Sequence, residues 1–127
     1  MIAPEVRLKL KAQLYCGVEI AMGPGKASLL EAIEAHCSIS GAARAIGMSY
    51  RRAWLLVDVM NRCWQSPLVE TNMGGARGGG ANVTALGRKV LSHYRALEMQ
   101  LETATASADW AALVGWVGTL PREHPDG

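Results

Sequence analysis

Gly47 is the position that most narrows what this chain can fold into. It stands between two stretches of helical apolar spacing, and a tight reversal between two helices calls for a residue that tolerates a left-handed backbone. Before it, Ala42 and Ala43 are small enough to let two helices touch. Ile46 is expected to pack beneath them, and Met48, Ala53, Leu56 and Val57 supply the apolar contacts that hold the second helix. Ser40 is read as the N-cap of a short helix over 41–46, and Ser49 as the N-cap of a helix from position 50 to about 64. A hydroxyl there satisfies backbone amides that the first turn leaves open. Two helices crossing over a glycine turn, with Ala42, Ala43 and Gly47 as the structural residues, describe a helix-turn-helix.

The flanking sequence supplies the remaining elements. Val6, Leu8 and Leu10 alternate with Arg7, Lys9 and Lys11, the period of a half-buried strand. Gly17 breaks that run, residues 18–22 return as a second strand, and Gly23-Pro24-Gly25 forms the closing turn. Leu29, Leu30, Ile33 and Cys37 predict an amphipathic helix over 26–37. Pro67 ends the helix after Gly47, and residues 68–71 read as a strand. The run Gly74-Gly75-Ala76-Arg77-Gly78-Gly79-Gly80 then suits a hairpin tip, with extended structure resuming at Val83. Thr84 can cap a long helix from 85 to about 105, whose stripe of Leu86, Val90, Tyr94, Leu97 and Leu101 is longer than one small core covers. The reading is a mainly α fold with small β: a winged helix-turn-helix with an N-terminal β-hairpin and a long C-terminal dimerisation helix. It is taken as one domain over 1–127, divided into a hairpin (1–23), the helix-turn-helix and wing (26–84), the dimer helix (85–106) and a tail (107–127).

Composition limits the function classes. A chain of 127 residues, half of them apolar, can bury a core without disulfides or metals. No apolar run approaches the roughly 20 residues that cross a bilayer, and the alternating N-terminus is unlike a signal peptide, so a cytoplasmic protein without membrane association is expected. Cys16, Cys37 and Cys63 show no metal-ligand spacing and read as reduced, packed thiols, with a redox switch or metal site as the sharper alternative. The net charge is only +2, but positions 39–97 carry +6 and the remainder −4. That asymmetry concentrates positive potential as a phosphate-backbone partner requires.

The helix after Gly47 opens with Ser49, Tyr50, Arg51 and Arg52. A recognition helix enters the major groove by its N-terminal end, where arginine can pair bidentately with guanine and Ser or Tyr can reach a base or phosphate. Leu55, one turn after Arg51, is placed to touch a thymine methyl. Trp54, Met60 and Trp64 are read as core or flanking packing. In the glycine run, Arg77 with Gly78 and Gly79 can form a wing tip that reaches phosphate or a minor groove. The same amides and Arg77 could instead cup an oxyanion as a nest, or the loop could have no role. Gly75 and Gly80 have Walker spacing, but Ala81 and Asn82 replace the required Lys and Ser/Thr, so a nucleotide loop is rejected. Arg88, Lys89 and Arg95 can flank the DNA backbone. His36, His93 and His124 are scattered, and no catalytic set emerges, so the chain is not read as an enzyme.

Positions 29–95 resemble the N-terminal domain of the ModE family of molybdate-responsive transcriptional regulators, a LysR-like winged helix-turn-helix. The resemblance rests on Ser38-Ile39-Ser40, Ala42-Ala43, Gly47 with Ser49-Tyr50, Ala53-Trp54, Met60-Asn61, Leu68-Val69-Glu70, Gly74-Gly75, Gly78-Gly79-Gly80 and Leu86-Gly87. It implies a homodimer on a palindromic operator, contacting double-stranded DNA through recognition helix and wing, and genes concerned with molybdate or the molybdenum cofactor. Full-length members carry C-terminal molybdate-binding domains of small barrel fold, for which this sequence has no counterpart. No cofactor is therefore expected, and molybdate is not expected to bind in the family's usual way. An oxyanion-responsive regulator and a winged-helix interaction module that binds no DNA stand as the alternatives.

Overall fold

The computed structural model describes residues 6–72 and 80–124. In chain order these form β1 (Leu14–Cys16), β2 (Glu19–Met22), α1 (Pro24–His36), α2 (Ile39–Ala45), α3 (Tyr50–Cys63), β3 (Val69–Asn72), β4 (Gly80–Val83), α4 (Ala85–Glu102), a 3-10 turn (Thr103–Ala106) and α5 (Ala108–Trp116). The fold is mainly α with small β, as the patterning predicts. Contacts divide the chain into two compact units, Lys11–Glu98 and Met99–Gly127 with Met1–Leu10.

The first unit is the helix-turn-helix with its wing. Its core gathers Leu29, Leu30 and Ile33 from α1, Ala42 and Ala43 from α2, Ala53, Val57 and Met60 from α3, and Leu68, Val69, Ala81 and Val83 from the wing. These positions recur at helical spacing on the helices and alternate on β4, so each element turns one apolar face inward. Two antiparallel hairpins flank the helices. β1 pairs with β2 (Cys16 opposite Glu19), and β3 with β4 (Val69 opposite Val83, Asn72 opposite Gly80).

The N-terminal hairpin is displaced from its expected place. Residues 6–13 form no strand, and the first strand is Leu14–Cys16. The reason is local. Gly17 has a positive φ of 61° and is the first of only two residues between the paired Cys16 and Glu19. A reversal that tight pairs the residues beside it and leaves the alternating charges of 7–11 without a partner strand. Gly23-Pro24-Gly25 is likewise helix start, not turn. Gly23 is the N-cap and Pro24 opens α1, where its preset φ fits and its missing N–H is not needed.

The cap of α2 moves by two residues. Ser38, with extended backbone, accepts a hydrogen bond from the Gly41 amide at 2.9 Å, and the helix runs from Ile39. Ser40 therefore lies inside the helix, because the hydroxyl that precedes the buried Ile39 takes the cap. Ile46 is exposed, not packed beneath. It is the C-cap of α2, ahead of Gly47, while Met48 and Leu56 pack half-buried against the core.

The second unit contains α5, whose residues are all exposed or only partly buried. Ser107 caps it, accepting from the Trp110 amide at 3.1 Å.

Candidate nucleic-acid interface

Gly47 takes the left-handed backbone expected of it, with φ 70°. The reversal is closed by the Met48 amide donating to the Ala43 carbonyl at 2.8 Å. Ala42, Ala43 and Ala53 are all buried, so α2 and α3 meet on methyl groups and approach closely. Ser49 caps α3 as predicted, accepting from the Arg52 amide at 3.1 Å.

The buried face of α3 is Ala53, Val57 and Met60. Helical geometry then directs Arg51, Arg52, Trp54, Leu55 and Asp58 away from the core, and all are exposed. Tyr50 and Leu55 are each 55% exposed. Tyr50 and Trp54 hold one another edge to face, with ring centroids 6.2 Å apart and planes at 77°, which gives the outer face an ordered aromatic ridge. Trp54 thus packs against a surface residue, while Met60 is fully buried. Trp64 closes the end of α3 by donating its indole N–H to the Ala21 carbonyl at 3.0 Å.

The cations differ in what they do. Arg62 pairs with Asp58 at 3.0 Å. Arg95 binds Glu31 at 2.7 Å and Glu98 at 2.8 Å, tying α4 to α1. Arg88 donates to the Val83 carbonyl at 2.9 Å and lies 3.9 Å from Glu34, so the proposed flank residue is engaged by its own fold. Arg51 and Arg52 make no ion pair and no side-chain hydrogen bond among the described residues. Arg44, in the last turn of α2, is exposed and unpaired in the same sense; it lies just across the Gly47 turn and was legible only as part of the basic excess. Lys26 lies close enough to Arg52 to feel its charge. Burial holds its ammonium below the usual lysine range, and Arg52 pushes the same way.

Asn61 joins α3 to the wing. Its Oδ1 accepts from the Leu68 and Val69 amides at 2.9 and 3.1 Å, and its Nδ2 donates to the Val69 carbonyl at 3.0 Å. The base of the wing is fixed again where Ala81 donates to the Cys37 carbonyl at 2.9 Å and where Thr84 Oγ1 donates to the Pro67 carbonyl and accepts from the Gly87 amide. Arg77, Gly78 and Gly79 lie outside the described residues.

No family model matches the chain. Curated relatives do match. The chain is 39% identical over 98 residues to the molybdenum transport protein ModE of Azotobacter vinelandii, covering 77% of this chain and 36% of that protein. It is 37% identical over 87 residues to the DNA-binding transcriptional dual regulator ModE of Escherichia coli strain K12, covering 68% and 31%. Over the matched stretch the chain belongs to the ModE family. It is also 42% identical over 83 residues to the molybdenum-pterin-binding protein MopA of Rhodobacter capsulatus, covering 65% and 31%. The chain spans about a third of the length of these relatives.

In this ModE-family chain the apolar stripe of α4 divides in two. Tyr94 is 4% exposed and donates its hydroxyl to the Ala12 carbonyl at 2.8 Å, so it packs within its own chain and is not part of an exposed stripe. Burial pushes its phenol up to about 12. Leu86 and Val90 are half-buried against the core. With Leu14, Met22, Trp64, His93 and Leu97, they line an open apolar cleft of about 350 Å³. Leu97 and Leu101 are exposed.

Proposed function

We propose that this ModE-family chain is a sequence-specific DNA-binding transcriptional regulator, not an enzyme, with α3 as its reading helix. The observation that carries the proposal is the division of labour among the arginines: Arg88 and Arg95 on α4 and Arg62 at the end of α3 are bound within the fold, while Arg51 and Arg52 project from the capped N-terminal end of an exposed helix face. That end carries the positive pole of the helix and fits a phosphate-lined groove. Ser49 and Tyr50 then contact phosphate or a base, Arg51 and Arg52 contact base edges, and Leu55 contacts a thymine methyl. Arg77, Gly78 and Gly79 act from the wing, and Arg44 beside the phosphates. Leu97 and Leu101, with Leu86 and Val90 behind them, pack against a second copy to make a homodimer, which places two reading helices on a palindromic operator. The names of the relatives support target genes in molybdenum handling.

Selection of bound duplexes from a random pool at stated salt tests this. A palindromic consensus, retained with at least a thousandfold preference over random sequence, is the expected result. Binding without sequence preference, or none at any salt, would leave the winged fold as an interaction module.

A further inference from the structure

Leu68 is where α3, the wing and α4 meet. Its side chain is fully buried, and its amide donates to Asn61 Oδ1 of α3 at 2.9 Å. Its carbonyl receives the Thr84 amide at 2.9 Å, at the junction of β4 and α4. Beside it the Pro67 carbonyl accepts the Thr84 hydroxyl at 2.8 Å, and the same Oγ1 accepts from the Gly87 amide at 3.0 Å. Gly87 is buried in the first turn of α4. A methyl group on its α-carbon would fall well inside contact distance of the Leu68 carbonyl oxygen and 2.7 Å from Val83 Cγ1. That oxygen belongs to a backbone bonded on both sides, so it cannot swing away as the tip of a long side chain would.

We propose that Gly87 and Thr84 are positioning residues for DNA recognition: they seat α4 on the Leu68 peptide and so fix the direction in which β3 and β4 leave the core relative to α3. The inference rests on α3 and the wing being the DNA-reading elements. Neither residue touches DNA. Gly87 acts by having no side chain, which lets the first turn of α4 lie against the Leu68 carbonyl. Thr84 acts through one hydroxyl that ties the entry of β3 to that turn. A side chain at position 87 pushes α4 off the base of the wing. Asn61 holds the same peptide from the α3 side, so the displacement falls on the wing and leaves α3 in place. The wing then misses the phosphates it would reach, while α3 keeps its base contacts.

The test compares Gly87→Ala, Thr84→Val and Thr84→Ser with the parent in the full chain, by amide hydrogen exchange without DNA and by binding of the selected duplex across a salt series. In Gly87→Ala and Thr84→Val the amides of positions 81 and 84, bonded in the parent to the Cys37 and Leu68 carbonyls, exchange faster, while those of Met48 and Ala53 stay protected. Operator affinity in both falls about tenfold or more, and the salt slope flattens by about one, as when a phosphate contact is lost. Thr84→Ser keeps the hydroxyl and behaves as the parent. If Gly87→Ala does not fold, the two Thr84 variants decide the matter. Parental exchange in Gly87→Ala and Thr84→Val overturns the seat. Faster exchange with parental affinity, a loss of affinity at unchanged salt slope, or Thr84→Ser failing alongside Thr84→Val overturns the positioning role. A parent that prefers no sequence overturns the DNA reading and the positioning role with it, and the exchange data, taken without DNA, keep the two failures apart.

Discussion

Arg51 and Arg52 stand on a helix whose buried side is complete without them, so their removal separates binding from folding. Arg51→Ala and Arg52→Ala are each expected to weaken operator binding by about 1–3 kcal/mol while leaving the thermal midpoint within a degree or two. Titrations of both variants against the selected duplex, beside melting curves, check this; parental affinity in both would remove α3 as the reader. Asn61 is the opposite kind of residue. Its side chain makes three hydrogen bonds to the entry of β3, and truncating it leaves backbone donors short of partners. Asn61→Ala should lose about 1–3 kcal/mol of stability by denaturant titration, and an unchanged midpoint would show that water replaces the amide. From the sequence Asn61 was legible only as a residue shared with a family, because nothing in helical periodicity says that a polar side chain reaches a strand eight residues on.

Between elements, α1 and α4 are held by Arg95 and Glu31. The Arg95 guanidinium, bonded to it, holds the Glu31 carboxyl below the usual carboxylate range. A carboxylate with a depressed folded-state pKa contributes stability above its unfolded pKa and loses it as pH falls through the folded value. Acid unfolding of the parent should therefore steepen below about pH 4.5, and Glu31→Gln should flatten that slope. Identical slopes would place the acid sensitivity elsewhere. Tyr94 gives the alkaline counterpart. Its phenol titrates near 12 in the folded chain against an ordinary value of 10.0, so its contribution is full below pH 10 and fades between about 10 and 12. Tyr94→Phe should cost about 1 kcal/mol at neutral pH through the lost bond to Ala12, and its stability should fall less above pH 10. A parent and variant with parallel alkaline curves would contradict this. The apolar stripe that marked α4 could not distinguish Tyr94 from Leu97, since both lie on it; only the position of residue 12 separates them.

For the whole molecule, the expectation concerns assembly. Leu97, Leu101, Leu113 and Trp116 are exposed apolar side chains, Trp116 at 81%, in a chain whose first unit already has a closed core. Leu97→Glu with Leu101→Glu should raise the dimer dissociation constant at least tenfold in sedimentation equilibrium and reduce operator affinity with it, without unfolding the monomer. An unaltered dimer would move the interface off this part of α4.

The helix-turn-helix was determined by the sequence itself, because its signals are local. A glycine that must turn left-handed, two alanines that permit contact, a hydroxyl one residue before a helix and a repeat of apolar positions all act within a few residues of one another. The basic cluster at Ser49–Arg52 belongs to the same class, since a cap fixes which end of a helix is presented. The tertiary structure decided what depends on partners distant in the chain. It chose Leu14–Cys16 over 6–11 as the strand by the turn it had to pair across. It engaged Arg88 and Arg95 within the fold and left Arg51 and Arg52 without an ion pair among the described residues. Charge and spacing are written in sequence, but whether a charge is already satisfied is a property of neighbours that folding alone supplies.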